Sequence, residues 1–224
     1  MTRAALFDVD GTLVDTNYLH VCAWWEAFRQ AGHSVPMSTV HRAIGLGSDD
    51  LIGHLLGADR DRGQDAAISA AHSALYATCF DRLPALDRAA DLLRALAARG
   101  WTVVLATSAS GPELEALRKA LDADDAISDT ASSDDVSEGK PAPEPIRHAM
   151  ELAGATSDET VYVGDSVWDM KAATGASVTA VALLSGGIPR EDLVGAGAVE
   201  VYRDPADLLA HLDTGVFARI AASG

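Results

Sequence analysis

"LFDVDGTLVDT", residues 6–16, decides how the rest of the chain is read. The apolar run at 4–7 stops at Asp8 and Asp10, one residue apart, and Gly11, Thr12 and more apolar residues follow. Neighbouring carboxylates repel, so a strand-like segment ending in two of them needs a proton or a cation to join them. Taken alone, Asp-Gly is also a common turn dipeptide, and a plain turn accounts for it. An EF-hand loop does not, because it needs a third ligand where Thr12 stands and glycine where Leu13 stands.

Short apolar runs recur downstream: "WTVVLATS" (101–108), "DAISDTAS" (125–132), "TVYVGDS" (160–166), "SVTAVALLSGG" (177–187) and "AVEVYRD" (198–204). Their continuous apolar character predicts strands buried on both faces, hence a parallel sheet. Helical patterns lie between them at 86–100, 111–121, 141–154 and 165–176, opened by prolines or closed by glycines. This alternation predicts an α/β, doubly wound, Rossmann-like core. Residues 15–83 break the rhythm. They hold helical patterns and no strand, and Val21, Trp24, Trp25 and Phe28 fall at i, i+3, i+4 and i+7. The expected organisation is a core of 1–14 and 84–224 with an all-helical insertion at 15–83, long enough for a small bundle.

Of 224 residues 48% are hydrophobic and 22% charged, enough for a packed core and unlike a disordered chain. The formal net charge of -16 opposes binding to nucleic acid or to an anionic membrane surface. Cys22 and Cys79 are far apart and form no CxxC, which supports neither a disulfide scaffold nor a zinc site. With no leader pattern and no run of membrane-spanning length, the expected location is cytoplasmic.

Ligands of open parallel sheets bind beyond the carboxyl ends of the strands. The predicted strand ends collect Asp8 and Asp10, then Thr107 and Ser108, then Lys140 in "SEGKP", then Asp165 and Asp169 in "GDSVWD". A donor set of oxygens alone suits a hard cation such as Mg²⁺. Such a cation, Lys140 and the hydroxyls would form a positive socket for phosphate within an acidic protein. Lys140 is one of only three lysines in the chain.

"DVDGT", the Thr107 end of "VVLATS", "GKPAPE" and "GDSVWD", in that order, resemble the four motifs of the haloacid dehalogenase superfamily. The helical insertion after the first motif resembles that superfamily's C1 cap, as in phosphoglycolate-phosphatase-like and β-phosphoglucomutase-like members. The resemblance implies an Mg²⁺-dependent phosphatase acting on a small phosphorylated metabolite. Asp8 would be the nucleophile that becomes an aspartyl-phosphate. Asp10 would be the general acid and base, and its backbone carbonyl a metal ligand. Asp165 would bind the metal through its side chain, and Asp169 directly or through water. Thr107, Ser108 and Lys140 would hold the phosphoryl group. The cap would open and close, with hinges near 14–16 and 82–84. The superfamily often has Asp where Glu144 stands, and no chemistry is assigned to that position.

Plainer readings stand beside these. Thr107 and Ser108 could cap a helix, Lys140 could be a surface lysine, and Asp165 could be an N-cap. Asp169 could face solvent, and the histidines of the insertion, His20, His33, His41, His54 and His72, could be scattered core or surface residues. Arg42 and the turn Gly45-Leu46-Gly47-Ser48 resemble a cap loop facing the site, or form a structural turn only. Asp10 speaks for phosphate esters over dehalogenation, since dehalogenating relatives lack it. A phosphosugar mutase is an alternative, set back because Asp49 follows where mutase-like members carry arginine. A non-catalytic phosphometabolite-binding regulator is the other alternative, and it would predict a broken motif.

Overall fold

The computed structural model describes residues 2–223. Six strands form one parallel sheet: β1 (Arg3–Phe7), β2 (Trp101–Ala106), β3 (Asp129–Ala131), β4 (Thr160–Gly164), β5 (Thr179–Leu183) and β6 (Glu200–Tyr202). Their order is β3-β2-β1-β4-β5-β6. The direction of winding reverses between β1 and β4, and the crevice at such a reversal is where ligands bind.

The strands are apolar throughout because both faces are covered. Successive side chains alternate across a sheet. Ala5, Phe7, Val103, Leu105, Val161 and Val163 therefore enter one core, and Ala4, Leu6, Val104, Ala106 and Tyr162 the other. The first core is closed by α5 (Ala89–Ala98), α6 (Gly111–Leu121), α10 (Pro205–Ala210) and α11 (Val216–Ser223). The second is closed by α7 (Glu144–Ala153), α8 (Val167–Gly175) and α9 (Arg190–Gly195).

Between β1 and α5 lie α1 (Asn17–Gln30), α2 (Met37–Ala43), α3 (Ser48–Leu56) and α4 (Asp65–Ala77). They share a third core, in which Val21, Trp24, Phe28, Val40, Leu51, Ile52 and Ile68 are buried. The stripe of α1 is narrower than its spacing predicts. Trp25 is only half-buried, at its edge, with the Arg29 guanidinium 5.0 Å above its ring. The two connections to the sheet run side by side. Asp15 N–H donates to the Pro84 carbonyl and Leu86 N–H to the Leu13 carbonyl, both at 2.9 Å.

The third strand is shorter than the apolar run predicts. Ala123 and Ala126 belong to a turn, closed by Ala126 N–H on the Ala123 carbonyl, and Arg94 holds the Asp125 carboxylate at 2.7 Å. Pairing with β2 begins only at Asp129. The helix expected from 141 starts at Glu144, with Pro143 as its N-cap and Pro145 in the first turn, where a missing N–H costs nothing.

Candidate active site

Asp8 follows β1, and its N–H still donates to Val163 of the neighbouring β4 at 2.9 Å. The chain then turns over the Val9 carbonyl, which accepts from Thr12, Leu13 and Val14. Gly11 sits at φ +74°, and a Cβ there would lie 2.5 Å from Asp165 Oδ2. The Asp-Gly turn is real, and it is also the clearance that lets two acidic loops meet.

Asp8, Asp165 and Asp169 each place a carboxylate oxygen within 4.8 Å of the others, all three buried. Lys140 is 2% exposed, and its Nζ lies 2.5 Å from Asp8 Oδ1 and 2.8 Å from Asp169 Oδ1. That excludes the surface reading of Lys140, and at 0% exposure Asp169 does not face solvent. Thr12 donates to Asp165 Oδ1 at 2.9 Å, and Asn17 donates to Asp165 Oδ2 at 2.7 Å. The N-cap of α8 is Ser166, not Asp165, and Asp169 completes a capping box with it. Both Asp169 oxygens are occupied: Oδ1 accepts from Tyr162 and Lys140, and Oδ2 from the Ser166 N–H and hydroxyl. Gly164 makes room for this, since a Cβ there would lie 2.6 Å from Asp169 Cβ.

The electrostatics follow from burial and pairing. Burial, with Asp169 and Asp10 nearby, pushes the Asp8 carboxyl up to about 7 against the pull of Lys140. Burial and the facing Asp169 and Asp8 raise Asp165 well above the carboxylate range. Asp169 stays below that range despite burial, because Lys140 and its hydrogen bonds favour the charged form. This is an all-oxygen pocket with an excess of negative charge, a fit for a hard divalent cation. Asp8 and Asp165 have the side chains to hold one.

Asp10 is turned the other way. Its Oδ1 accepts from the Thr16 hydroxyl at 2.6 Å and from His20 Nε2 at 3.2 Å. Despite burial, the His20 hydrogen bond and charge hold Asp10 below the usual range. His20 Nδ1 meets His72 Nε2 at 3.1 Å, and Glu113 of α6 lies 3.7 Å from His20. Burial drives His72 down to about 3, while burial and Asp10 push Glu113 up to about 7.

A family model described as haloacid dehalogenase-like hydrolase matches residues 2–177. The chain belongs to this family. A phosphoglycolate phosphatase of Rhodospirillum rubrum is 30% identical over 217 residues, 93% of this chain and 90% of that protein. A crystal structure of a hydrolase from Pseudomonas syringae is 37% identical with a TM-score of 0.90, covering 95% of this chain and 98% of the other. CbbY from Rhodobacter sphaeroides, solved in complex with phosphate, is 28% identical with a TM-score of 0.76, covering 95% and 100%.

In this haloacid dehalogenase-like hydrolase, Asp8, Asp10 and Asp165 line a cavity of about 90 Å³ with Ser108, Ala109 and Glu113. Thr107 and Lys140 line a second one of about 310 Å³, whose walls share Gly47, Ser48 and Ser108 with the first. Thr107 is buried, and its hydroxyl accepts from Ala109 N–H at 3.0 Å; the N-cap of α6 is Ser110. Arg42 is not brought to the site. Its guanidinium pairs with Asp192 at 2.7 Å and its carbonyl accepts from the Trp168 indole, because α2 presents that face to α8 and α9.

Sequence reasoning passed over Thr12, Asn17, His20, His72 and Glu113. Part of the signal was there. A helix that starts directly after the Asp10 loop points its first turns back over it, so Thr16 and His20, at i and i+4, share the face toward Asp10. His72 and Glu113 arrive from other elements and carry no local mark.

Glu144 gains a structural role. Its carboxylate accepts from Ser137 N–H at 3.0 Å and Glu138 N–H at 3.1 Å, pinning the loop that carries Lys140. Glu144→Ala should free those amides to exchange faster by hydrogen–deuterium measurement and lower kcat/KM several-fold without abolishing turnover. Unchanged exchange at Ser137 and Glu138 would remove this role.

Proposed function

We propose that the chain is an Mg²⁺-dependent phosphatase of a small phosphorylated metabolite, working through an aspartyl-phosphate on Asp8. The observation that carries this is the buried meeting of Asp8, Asp165, Asp169 and Lys140 at the reversal of the sheet. A cation held by the Asp8 and Asp165 side chains and the Asp10 carbonyl would relieve their repulsion and draw electron density from the phosphoryl group. Asp169, saturated by its own donors, would act by fixing Lys140 beside the cation site rather than as a direct ligand. Lys140, Thr107 and Ser108 grip the phosphoryl oxygens.

In the first half-reaction an Asp8 oxygen attacks phosphorus, the P–O ester bond breaks, and Asp10 gives its proton to the leaving alcohol. In the second, water attacks the aspartyl-phosphate, Asp10 takes its proton, and phosphate leaves with Asp8 restored. Asp10 thus ends each cycle as it began. Asp10 is charged in the empty site; the arriving phosphate dianion raises its pKa, and Asp10 then takes up from solvent the proton that the first step needs. Residues 15–83 serve as the cap over a core of 1–14 and 84–224. It excludes water while the ester is cut and swings on the paired connections at 14–16 and 82–84.

The phosphatase names of the relatives support hydrolysis, and Asp49 in place of the arginine of mutase-like caps speaks against transfer back to a sugar. The direct test is release of phosphate from p-nitrophenyl phosphate with and without Mg²⁺. Magnesium-independent release, or none, would remove the reading.

A pH dependence follows. Asp8, at about 7, and Asp165, also raised by burial and the facing carboxylates, must lose protons to hold a cation. Mg²⁺ affinity should therefore rise from pH 6 to pH 8, and calorimetry in buffers of different ionisation enthalpy should show proton release. Equal affinity at both pH values would contradict it.

A further inference from the structure

The two cavities hold a charge inventory that bears on the unreacting part of the substrate. The side chains lining them that can be cationic are Lys140, His20 and His72. Each is already engaged. Lys140 is clasped by Asp8 and Asp169. His20 is set between Asp10 at 3.2 Å and Glu113 at 3.7 Å. His72 faces His20 nitrogen to nitrogen at 3.1 Å, a contact that admits one shared proton and not two cations. Arg42, the arginine nearest in sequence to the cap turn, is spent on Asp192.

The remaining lining groups are acidic, apolar or neutral hydroxyls such as Ser73 and Ser108, and none of them carries positive charge. Glu113 lines the smaller cavity together with Trp24, Ile44, Leu46 and Leu51. Asp49 and Asp50 line the larger one, in the first turn of α3, where they offset the positive end of that helix. Once the phosphoryl group has taken Lys140 and a cation, no free cationic side chain is left among the described lining residues for a second anion.

We infer that the leaving alcohol carries no anion of its own, and that Glu113 is the residue enforcing this. Preferred substrates are phosphate monoesters of neutral or amine-bearing alcohols, not of hydroxy acids and not bisphosphates. This rests on the phosphatase reading and departs from the substrate in the relatives' names. An anionic leaving group in this cavity meets Glu113 and Asp10, with neutral hydroxyls but no free cationic side chain to offset them. An amine finds Glu113 ready to accept its hydrogen bonds, and a hydroxyl pays no charge penalty. The apolar wall of Trp24, Ile44, Leu46 and Leu51 covers the carbon chain.

The test is run at pH 8, where Glu113, pushed up to about 7, is mostly charged, and uses three esters of matched length with Mg²⁺: 2-aminoethyl phosphate, 2-hydroxyethyl phosphate and phosphoglycolate. Alongside them runs p-nitrophenyl phosphate as the generic ester. Wild-type kcat/KM for phosphoglycolate should be roughly tenfold or more below that for 2-hydroxyethyl phosphate, the scale of discrimination a single mismatched group produces. Glu113→Gln, which keeps shape and removes the charge, should narrow the gap between phosphoglycolate and 2-aminoethyl phosphate at least about threefold, mainly through KM. Phosphoglycolate turned over as well as the neutral ester would overturn the inference while leaving the phosphatase reading intact. An unchanged gap in Glu113→Gln would overturn the part given to Glu113. Failure on all four esters would bring down the phosphatase reading itself, and this inference with it.

Discussion

Asp8→Asn is expected to abolish Mg²⁺-dependent hydrolysis of p-nitrophenyl phosphate while leaving the protein folded. Removing a covalent nucleophile elsewhere costs on the order of 10⁴-fold or more in kcat, and nothing nearby can replace it. Asp165 is held by Thr12 and Asn17, and Asp10 is turned to Thr16 and His20. Fold survival follows from the same contacts. The amide keeps an oxygen for Lys140, which retains Asp169 at 2.8 Å, and the loop is shaped by backbone bonds to Val9 that the substitution does not touch. An unaltered circular dichroism spectrum with turnover below detection is the expected pair of results. Measurable single-turnover labelling of the variant would move the nucleophile to another residue.

Lys140→Met should be the most damaging substitution to stability. Lys140 is buried at 2% exposure between two carboxylates, and removing one partner of a buried ion pair costs roughly 3–5 kcal/mol, because the remaining charges lose their compensation. For a chain of this size that is a fall in Tm of about 10 °C. Loss of Lys140 raises the pKa values of Asp8 and Asp169, so the variant relieves its strain by taking up protons. The deficit should be larger at pH 8 than at pH 6, and added Mg²⁺ should recover part of it. Activity should be lost as well, since the phosphoryl oxygens lose their point charge. Thermal unfolding with a Tm within about 2 °C of the parent at pH 8 would mean that the pair contributes little.

The charge series on Glu113, the amide exchange at Ser137 and Glu138, and the pH dependence of Mg²⁺ uptake probe smaller effects around the same centre. Together they separate three layers of the site: the carboxylates that would hold a cation, the loops that hold the carboxylates, and the cavity wall that meets the rest of the substrate.

Local patterns carried the architecture. Runs such as "WTVVLATS" and "TVYVGDS" are apolar at every position because β2 and β4 are covered on both faces, so their composition alone predicts a parallel sheet. Residues at strand ends were legible for the same reason. Once the strands run parallel, Asp8, Thr107 and Asp165 must share one edge. Lys140 was found by its motif and its rarity. The short third strand was misjudged because alanines in a turn have the same composition as alanines in a strand, and only the pairing with β2 separates them.

The sequence by itself determined the parallel sheet, the helical insertion and the edge on which acids, hydroxyls and one lysine gather, because periodicity and strand ends are properties of short stretches. Only the tertiary structure decided which of those groups touch. It tied Asp169 to Lys140, set His20 and His72 behind Asp10, carried Arg42 away to Asp192 and brought Glu113 to the cavity wall. Those pairings join residues from separate elements, and their distances depend on how helices pack on a twisted sheet, a geometry that no single stretch encodes.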